Sequence, residues 1–282
     1  MSKILNGKKL SNRLALKLMK NISRLTVKPK LVIIQIGNDE RSNIYIKNKI
    51  AFGRRIGAIV LHRKYPSTVL EKKIISDISR FNKDRKVHGI IVQLPIPKHL
   101  DQNRVVDAIR PLKDVDGLTA TNIRSLFNNE EAFVPATTKG ILSILDHYKV
   151  SLRGKKVVIV GESSLVGRPT AFALLNKGAT VTVCHTATKN LKSETKRADI
   201  LITAVGQSRF ITKSYVTKGQ IVIDIGISVD KSSHISGDID FKKVAPIVKA
   251  ITPVPGGVGP MTVFSLFENL AKARMRLGIV IP

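Results

Sequence analysis

Short apolar runs alternate with amphipathic stretches along most of the chain, the pattern of βα units laid on a parallel sheet. The runs predict strands at 30–36, 58–62, 89–93, 156–160, 180–184, 200–205, 220–225 and 250–252. The amphipathic stretches predict helices at 41–56, 69–81, 103–109, 139–148, 167–176, 191–196 and 260–277. The pattern weakens between Pro111 and Pro135, and a fresh βαβ series begins after it, so a domain boundary is expected near residue 135. No repeat and no low-complexity segment stands out.

The expected fold class is therefore α/β with two lobes. Residues 1–134 are expected to form an N-terminal α/β lobe and 135–259 a second, Rossmann-like lobe. The final helix, 260–282, follows the glycine- and proline-rich TPVPGGVGP and is expected to pack back on the first lobe. Ligands commonly bind in the cleft between such lobes.

Bulk properties change this picture little. The 282 residues suffice for one large domain or two small ones, and 43% hydrophobic with 24% charged residues is ordinary for a soluble protein. No apolar run approaches the ~18 residues of a membrane span, so no membrane partner is expected. The opening MSKILNGKKL lacks the apolar core of a secretory signal. A single cysteine, Cys184, permits no intrachain disulfide and fits a reducing, cytoplasmic setting. No metal site is expected. The net charge of +28 would draw polyanions. However, the basic residues are scattered and aromatic content is 5% without tryptophan, which favours a basic enzyme over a nucleic-acid partner.

The candidate cofactor turn is VVIVGESSLVGRP. A strand, a glycine turn and a helix make an anion site, because unpaired backbone N–H groups and the helix dipole point at a phosphate. Gly161 lets the chain leave the strand sharply and Gly167 lets the helix lie close to the sheet. Ser163 stands where a dinucleotide fingerprint has its middle glycine, and the pattern alone equally describes a plain βα turn. The next strand, VTVCHTATKN, ends without the acidic residue that clamps an unmodified ribose. Cys184, His185, Thr186, Thr188 and Lys189 stand there instead, suiting a phosphorylated ribose or a solvated strand end. Gly206 and Gly226 close the next two strands, where a cofactor could approach the backbone.

In SNIYIKNK, Ser42, Tyr45 and Lys49 fall at helical spacing. Tyr–x–x–x–Lys also marks short-chain dehydrogenases, but there it follows the nucleotide turn, whereas this pair precedes it by more than a hundred residues. In HGIIVQLPIPKHL a strand ends at Gln93, and Pro95 and Pro97 fix its exit. KDVDGL adds Asp114 and Asp116 before Gly117, a turn or cap signal as well as a pair of candidate carboxylates.

Taken together, SNIYIKNK, VQLPIPKHL, KDVDGL, the G-x-S-x-x-x-G turn and above all ITPVPGGVGPMT resemble the bifunctional methylenetetrahydrofolate dehydrogenase/methenyltetrahydrofolate cyclohydrolase family, in order over essentially the whole chain. The resemblance implies oxidation of methylenetetrahydrofolate with NADP, or NAD, followed by hydrolysis to formyltetrahydrofolate in one-carbon metabolism and purine biosynthesis. It also implies a homodimer acting on a folate substrate. Scattered basic charge suits a polyglutamylated tail. Lys49 matches the family's catalytic lysine, Gln93 the residue orienting its amine, Tyr45 the ring stacked on the aminobenzoate, and Asp116 the carboxylate on the pterin. Ser42, Val92 and Leu94 fall with them on the substrate side. Pro255, Gly256, Gly257, Val258, Gly259, Pro260, Met261, Thr262 and Val263 match the loop lining folate and nicotinamide. Gly161, Glu162, Ser163, Thr186 and Ile227 fall where the family binds NADP, with Thr137 beside them.

Several positions depart from the family pattern. PATTKG replaces P-C-T-P-x-G, Arg124 a glycine and Glu40 a proline, while Thr186 stands for a commoner serine. Glu162 places a carboxylate beside the expected phosphates, which sets NAD use or a cyclohydrolase-only enzyme against NADP.

Overall fold

The structure is a computed structural model that describes residues 2–229 and 235–279. The chain begins with β1 (Lys3–Ile4), α1 (Gly7–Ser23), β2 (Lys30–Ile36), α2 (Glu40–Ile56), β3 (Ile59–Tyr65), α3 (Glu71–Lys83), β4 (Gly89–Val92), α4 (Gln102–Asp107) and α5 (Ala120–Phe127). It continues with α6 (Ala136–His147), β5 (Lys156–Val160), α7 (Gly167–Leu175), β6 (Thr180–Cys184), α8 (Leu191–Lys196), β7 (Ile200–Thr203), β8 (Ile221–Asp224), β9 (Ser228–Val229), β10 (Ile235–Ser236), α9 (Phe241–Val244), β11 (Ala250–Ile251) and α10 (Val258–Ile279).

Two compact units result. One comprises Met1–Asn12 with Thr137–Thr262, the other Arg13–Ala136 with Val263–Pro282. The second is built on a parallel sheet ordered β3-β2-β4. Its central strand, KLVIIQI, is buried from Leu31 onward, as a strand covered on both faces must be. Ile74, Ile78 and Phe81 of α3 and Val105 and Val106 of α4 join Val32, Ile34 and Ile36 in one core. Across the sheet, a Cβ on Gly53 of α2 would strike Val60 and Phe267, and one on Gly89 would strike Leu270. Both α2 and α10 therefore lie close against this sheet, and the rings of Phe52 and Phe267 pack at a tilt with centroids 5.3 Å apart.

The other unit carries a parallel sheet ordered β1-β11-β8-β7-β5-β6. Strand order reverses at β5, which has β6 on one side and β7 on the other. The carboxyl edge at such a switch point is where open α/β sheets bind ligands.

Several features differ from the sequence expectation. Helix α1 was not anticipated: its buried positions Ser11, Ala15, Leu18 and Ile22 keep helical spacing, but exposed Leu16 and Met19 blur the stripe. Within the stretch read as irregular, α5 starts at an N-cap, Thr119, whose hydroxyl accepts from Asn122 N. Residues 1–12, grouped by pattern with the first lobe, join the other unit. There β1 pairs with β11, and Lys8 N donates to Gly256 O at 2.9 Å.

Candidate active site

The Asp39 carboxylate caps α2 by accepting from Ser42 N at 2.8 Å. The helix that follows brings Ser42, Tyr45 and Lys49 along one side, a turn apart. Gln93 continues the ladder past β4, donating its backbone N–H to Ile34 O. Lys49 Nζ then donates to Gln93 Oε1 at 2.8 Å, and Gln93 Nε2 donates to Leu94 O at 2.9 Å. The amide is thereby fixed with its oxygen toward the lysine. Ser42 Oγ also reaches Leu94 O, at 3.5 Å. Val92 turns the other way, into the core.

The two carboxylates of KDVDGL have separate tasks. Asp114 is buried and accepts from Gly117 N at 2.9 Å, Thr119 N at 2.8 Å and Asn122 Nδ2 at 2.8 Å. It builds the turn. Gly117, at φ 75°, has no room for a side chain against the Phe133–Pro135 backbone. Asp116 is left to couple with Lys49. Burial pushes the lysine down from its ordinary pKa, and Asp116 opposes that. Burial pushes Asp116 up, Lys49 pulls it down, and Asp114 adds to the rise. Burial also raises Tyr45. Asn269 of α10, which the sequence reading did not single out, donates to Val115 O at 3.0 Å and Val134 O at 3.2 Å, so it pins the loop carrying Asp116.

In the other unit, Gly161 leaves β5 at φ 117°, where a Cβ would collide with the Ala204 backbone. Gly167 opens α7, and a Cβ there would strike the Gly161 carbonyl. Ser163 has a structural reason to replace glycine: its Oγ accepts from Val166 N at 3.2 Å and Gly167 N at 3.4 Å, capping the helix start. The Glu162 carboxylate pairs with Arg168 at 3.1 Å on the exposed surface, so its charge is not left alone beside the turn. After β6, Thr186 and Lys189 are exposed. Cys184 is buried, and Thr188 Oγ1 accepts from His185 N at 2.9 Å, holding the turn. Gly206, at φ 70°, has open space where a side chain would stand. Gly226 does not: its missing Cβ makes room for the Asp238 carboxyl group rather than for a ligand.

The PVPGGVGPMT segment is held by the N-terminus, since a Cβ on Gly7 would strike the Gly257 carbonyl. Val258 and Met261 are packed inside, whereas Pro255 is exposed and Pro253, Val254, Gly256, Gly259, Pro260, Thr262 and Val263 are partly so. Thr262 Oγ1 donates toward Thr137 Oγ1 at 3.4 Å, joining two of the expected site residues. Ile227 lies partly exposed beyond β8. Among the described residues no group of three or more His, Cys, Asp or Glu could hold a metal ion, and no helix is long and apolar enough to cross a membrane.

Residues 5–116 match the catalytic domain of tetrahydrofolate dehydrogenase/cyclohydrolase, and residues 135–277 match its NAD(P)-binding domain. The chain belongs to the tetrahydrofolate dehydrogenase/cyclohydrolase family. Within it, the chain is 38% identical to the bifunctional protein FolD of Enterococcus faecalis, covering 97% of this chain and 98% of that one. It is 42% identical to FolD of Ligilactobacillus salivarius, covering 97% of each. The crystal structure of the bifunctional FolD methylenetetrahydrofolate dehydrogenase/cyclohydrolase from Campylobacter jejuni superposes with a TM-score of 0.95 at 38% identity, covering 98% of this chain and 99% of that one. The Trypanosoma brucei family member, solved with NADP cofactor and inhibitor, gives 0.94 at 28% identity, covering 99% of each chain. The expected fold class and family are thus the observed ones.

Proposed function

We propose that this chain oxidises methylenetetrahydrofolate to methenyltetrahydrofolate with NADP and then hydrolyses the product to formyltetrahydrofolate. The observation that carries the reading is the Lys49–Gln93 contact of 2.8 Å beside Asp116, in a chain of this family.

NADP, when bound, accepts the hydride from the methylene carbon. Lone pairs on the two flanking nitrogens assist that departure, so the first step asks the protein for positioning rather than for a base. The second step does need proton transfer. Water attacks the amidinium carbon while the neutral Lys49 amine takes a proton from it. The resulting ammonium returns a proton to the departing nitrogen as the carbon–nitrogen bond breaks. Gln93 Oε1 aims the amine throughout, and burial keeps the neutral form accessible. Tyr45 supports the aminobenzoate ring and Asp116 hydrogen-bonds the pterin, with Ser42 and Leu94 beside them.

The nucleotide turn suits a phosphorylated dinucleotide. Gly161 makes the sharp turn toward α7 by packing on the Ala204 backbone, Thr186 and Lys189 stand exposed where the ribose phosphate would lie, and the Arg168 pairing offsets Glu162. NADP is therefore preferred to NAD. The reading extends to a homodimer in the cytoplasm, serving purine biosynthesis, with the +28 charge favouring polyglutamylated folate.

Both activities measured on one preparation, with NADP and with NAD, test the proposal. Oxidation that favours NADP together with methenyl hydrolysis supports it; the absence of either activity contradicts it.

A further inference from the structure

Two buried carboxylates to which no role has been given so far lie at the carboxyl edge of the six-stranded sheet. Asp238 is 0% exposed and Asp224 3%. Asp238 reaches back to the loop that follows β7: Oδ2 accepts from Val205 N at 2.7 Å and Oδ1 from Gln207 N at 2.9 Å. Asp224, the last residue of β8, works in the reverse direction. Its Oδ1 accepts from Gly226 N at 3.0 Å, Asp238 N at 3.1 Å and Thr203 Oγ1 at 3.3 Å, and its Oδ2 accepts from Ile239 N at 3.0 Å.

The glycines explain how two acids fit so closely. A Cβ on Gly226 would overlap the Asp238 carboxyl group, and one on Gly237 would overlap that of Asp224. Ser228 Oγ adds a tie, donating to Gly206 O at 3.1 Å. These side chains add to the backbone bonds from Ile225 N to Thr203 O at 2.9 Å, Arg209 N to Gly237 O at 3.0 Å and Ile211 N to Asp238 O at 2.9 Å. The loops after β7 and β8 are thus bound to each other and to the segment that carries Asp238.

We propose that Asp224 and Asp238 are positioning residues for the dinucleotide: they fix the Val205–Gln207 and Gly226–Ile227 backbone at the sheet's switch point in the shape that receives the cofactor. The inference rests on the dinucleotide reading above. Its location supports it. β7 flanks β5 at the point of strand reversal, and a Cβ on Gly161 of the phosphate turn would meet Ala204, the residue before this loop. Burial pushes Asp224 up to about 7, with Asp238 adding to the rise, so the core need not hold two full charges at neutral pH.

Asp238→Asn is the test, because one amide hydrogen of the new side chain then opposes Val205 N–H or Gln207 N–H. NADPH affinity is measured by fluorescence of the bound nucleotide, alongside the KM for NADP and the rate of methenyl hydrolysis. We expect the Kd and KM for the nucleotide to rise about tenfold or more while methenyl hydrolysis stays within about twofold, since Lys49 and Gln93 belong to the other unit. A folded variant that binds NADPH as wild type does overturns the proposal. Wild-type protein that binds no nicotinamide nucleotide overturns the functional reading, and the proposal with it. If the variant does not fold, hydrogen exchange in the wild type decides. Slow exchange at Val205 and Gln207 supports the role of Asp238, and exchange as fast as in an open loop overturns it.

Discussion

Lys49 and Gln93 are 44 residues apart in sequence and meet in a hydrogen bond of 2.8 Å, donated by the amine to the amide oxygen. One residue comes from a capped helix and the other from the end of a strand, and the contact decides which way the amine points. Replacing Gln93 by Ala is expected to lower methenyl hydrolysis by about 10-fold or more through lost positioning. The fold should tolerate the change, which thermal unfolding checks alongside kcat.

The pH profile of hydrolysis follows from the same pair. The proposed role needs Lys49 as a free amine, and burial holds its pKa below the ordinary value of 10.5. Activity should therefore rise with pH as the amine loses its proton, with the midpoint below 10.5. Asp116 pulls that midpoint upward, so Asp116→Asn should shift the rise to lower pH. Background-corrected rates across the pH range for both proteins check the sign.

Much of this site is legible in the sequence, but unevenly. The strands 30–36, 156–160 and 180–184 and the helix 191–196 have the bounds expected from pattern. Gln93 stands out because it ends a strand, and Lys49 because it lies a helical turn from Tyr45 in SNIYIKNK. KDVDGL gave two carboxylates with no sign of which one builds the turn. That distinction depends on Asn122, which donates to Asp114 from a helix the pattern did not reveal. Asn269 and Asp238 escaped notice for a similar reason: a lone polar residue outside any motif signals nothing until the backbone it reaches is known. Residues 1–12 joined the other unit through a two-residue strand, too short for any periodicity to show.

Asp114→Ala should be the most destabilising of these changes. It removes the carboxylate that accepts from Gly117 N, Thr119 N and Asn122 Nδ2. Gly117 N keeps the Asp114 carbonyl and Asn122 Nδ2 keeps Pro111 O, but Thr119 N loses its buried acceptor, a loss of about 2 kcal/mol in all. Denaturant unfolding should show a lower midpoint than for Asp116→Asn, whose carboxylate couples to Lys49 instead of closing the turn.

The Glu162–Arg168 pair makes a prediction about cofactor choice. Both side chains are exposed, so breaking the pair should change stability by no more than about 1 kcal/mol. Arg168→Ala nevertheless leaves Glu162 uncompensated and should raise the KM for NADP more than the KM for NAD. Adding Glu162→Gln to that variant should restore most of the loss, which steady-state kinetics with both nucleotides would reveal.

The most direct measurement is of both activities in Lys49→Met. The account predicts that methenyl hydrolysis falls by about 100-fold or more, because its proton carrier is gone, while NADP-dependent oxidation keeps a substantial part of its rate. Hydrolysis at the wild-type rate in the folded variant would contradict it.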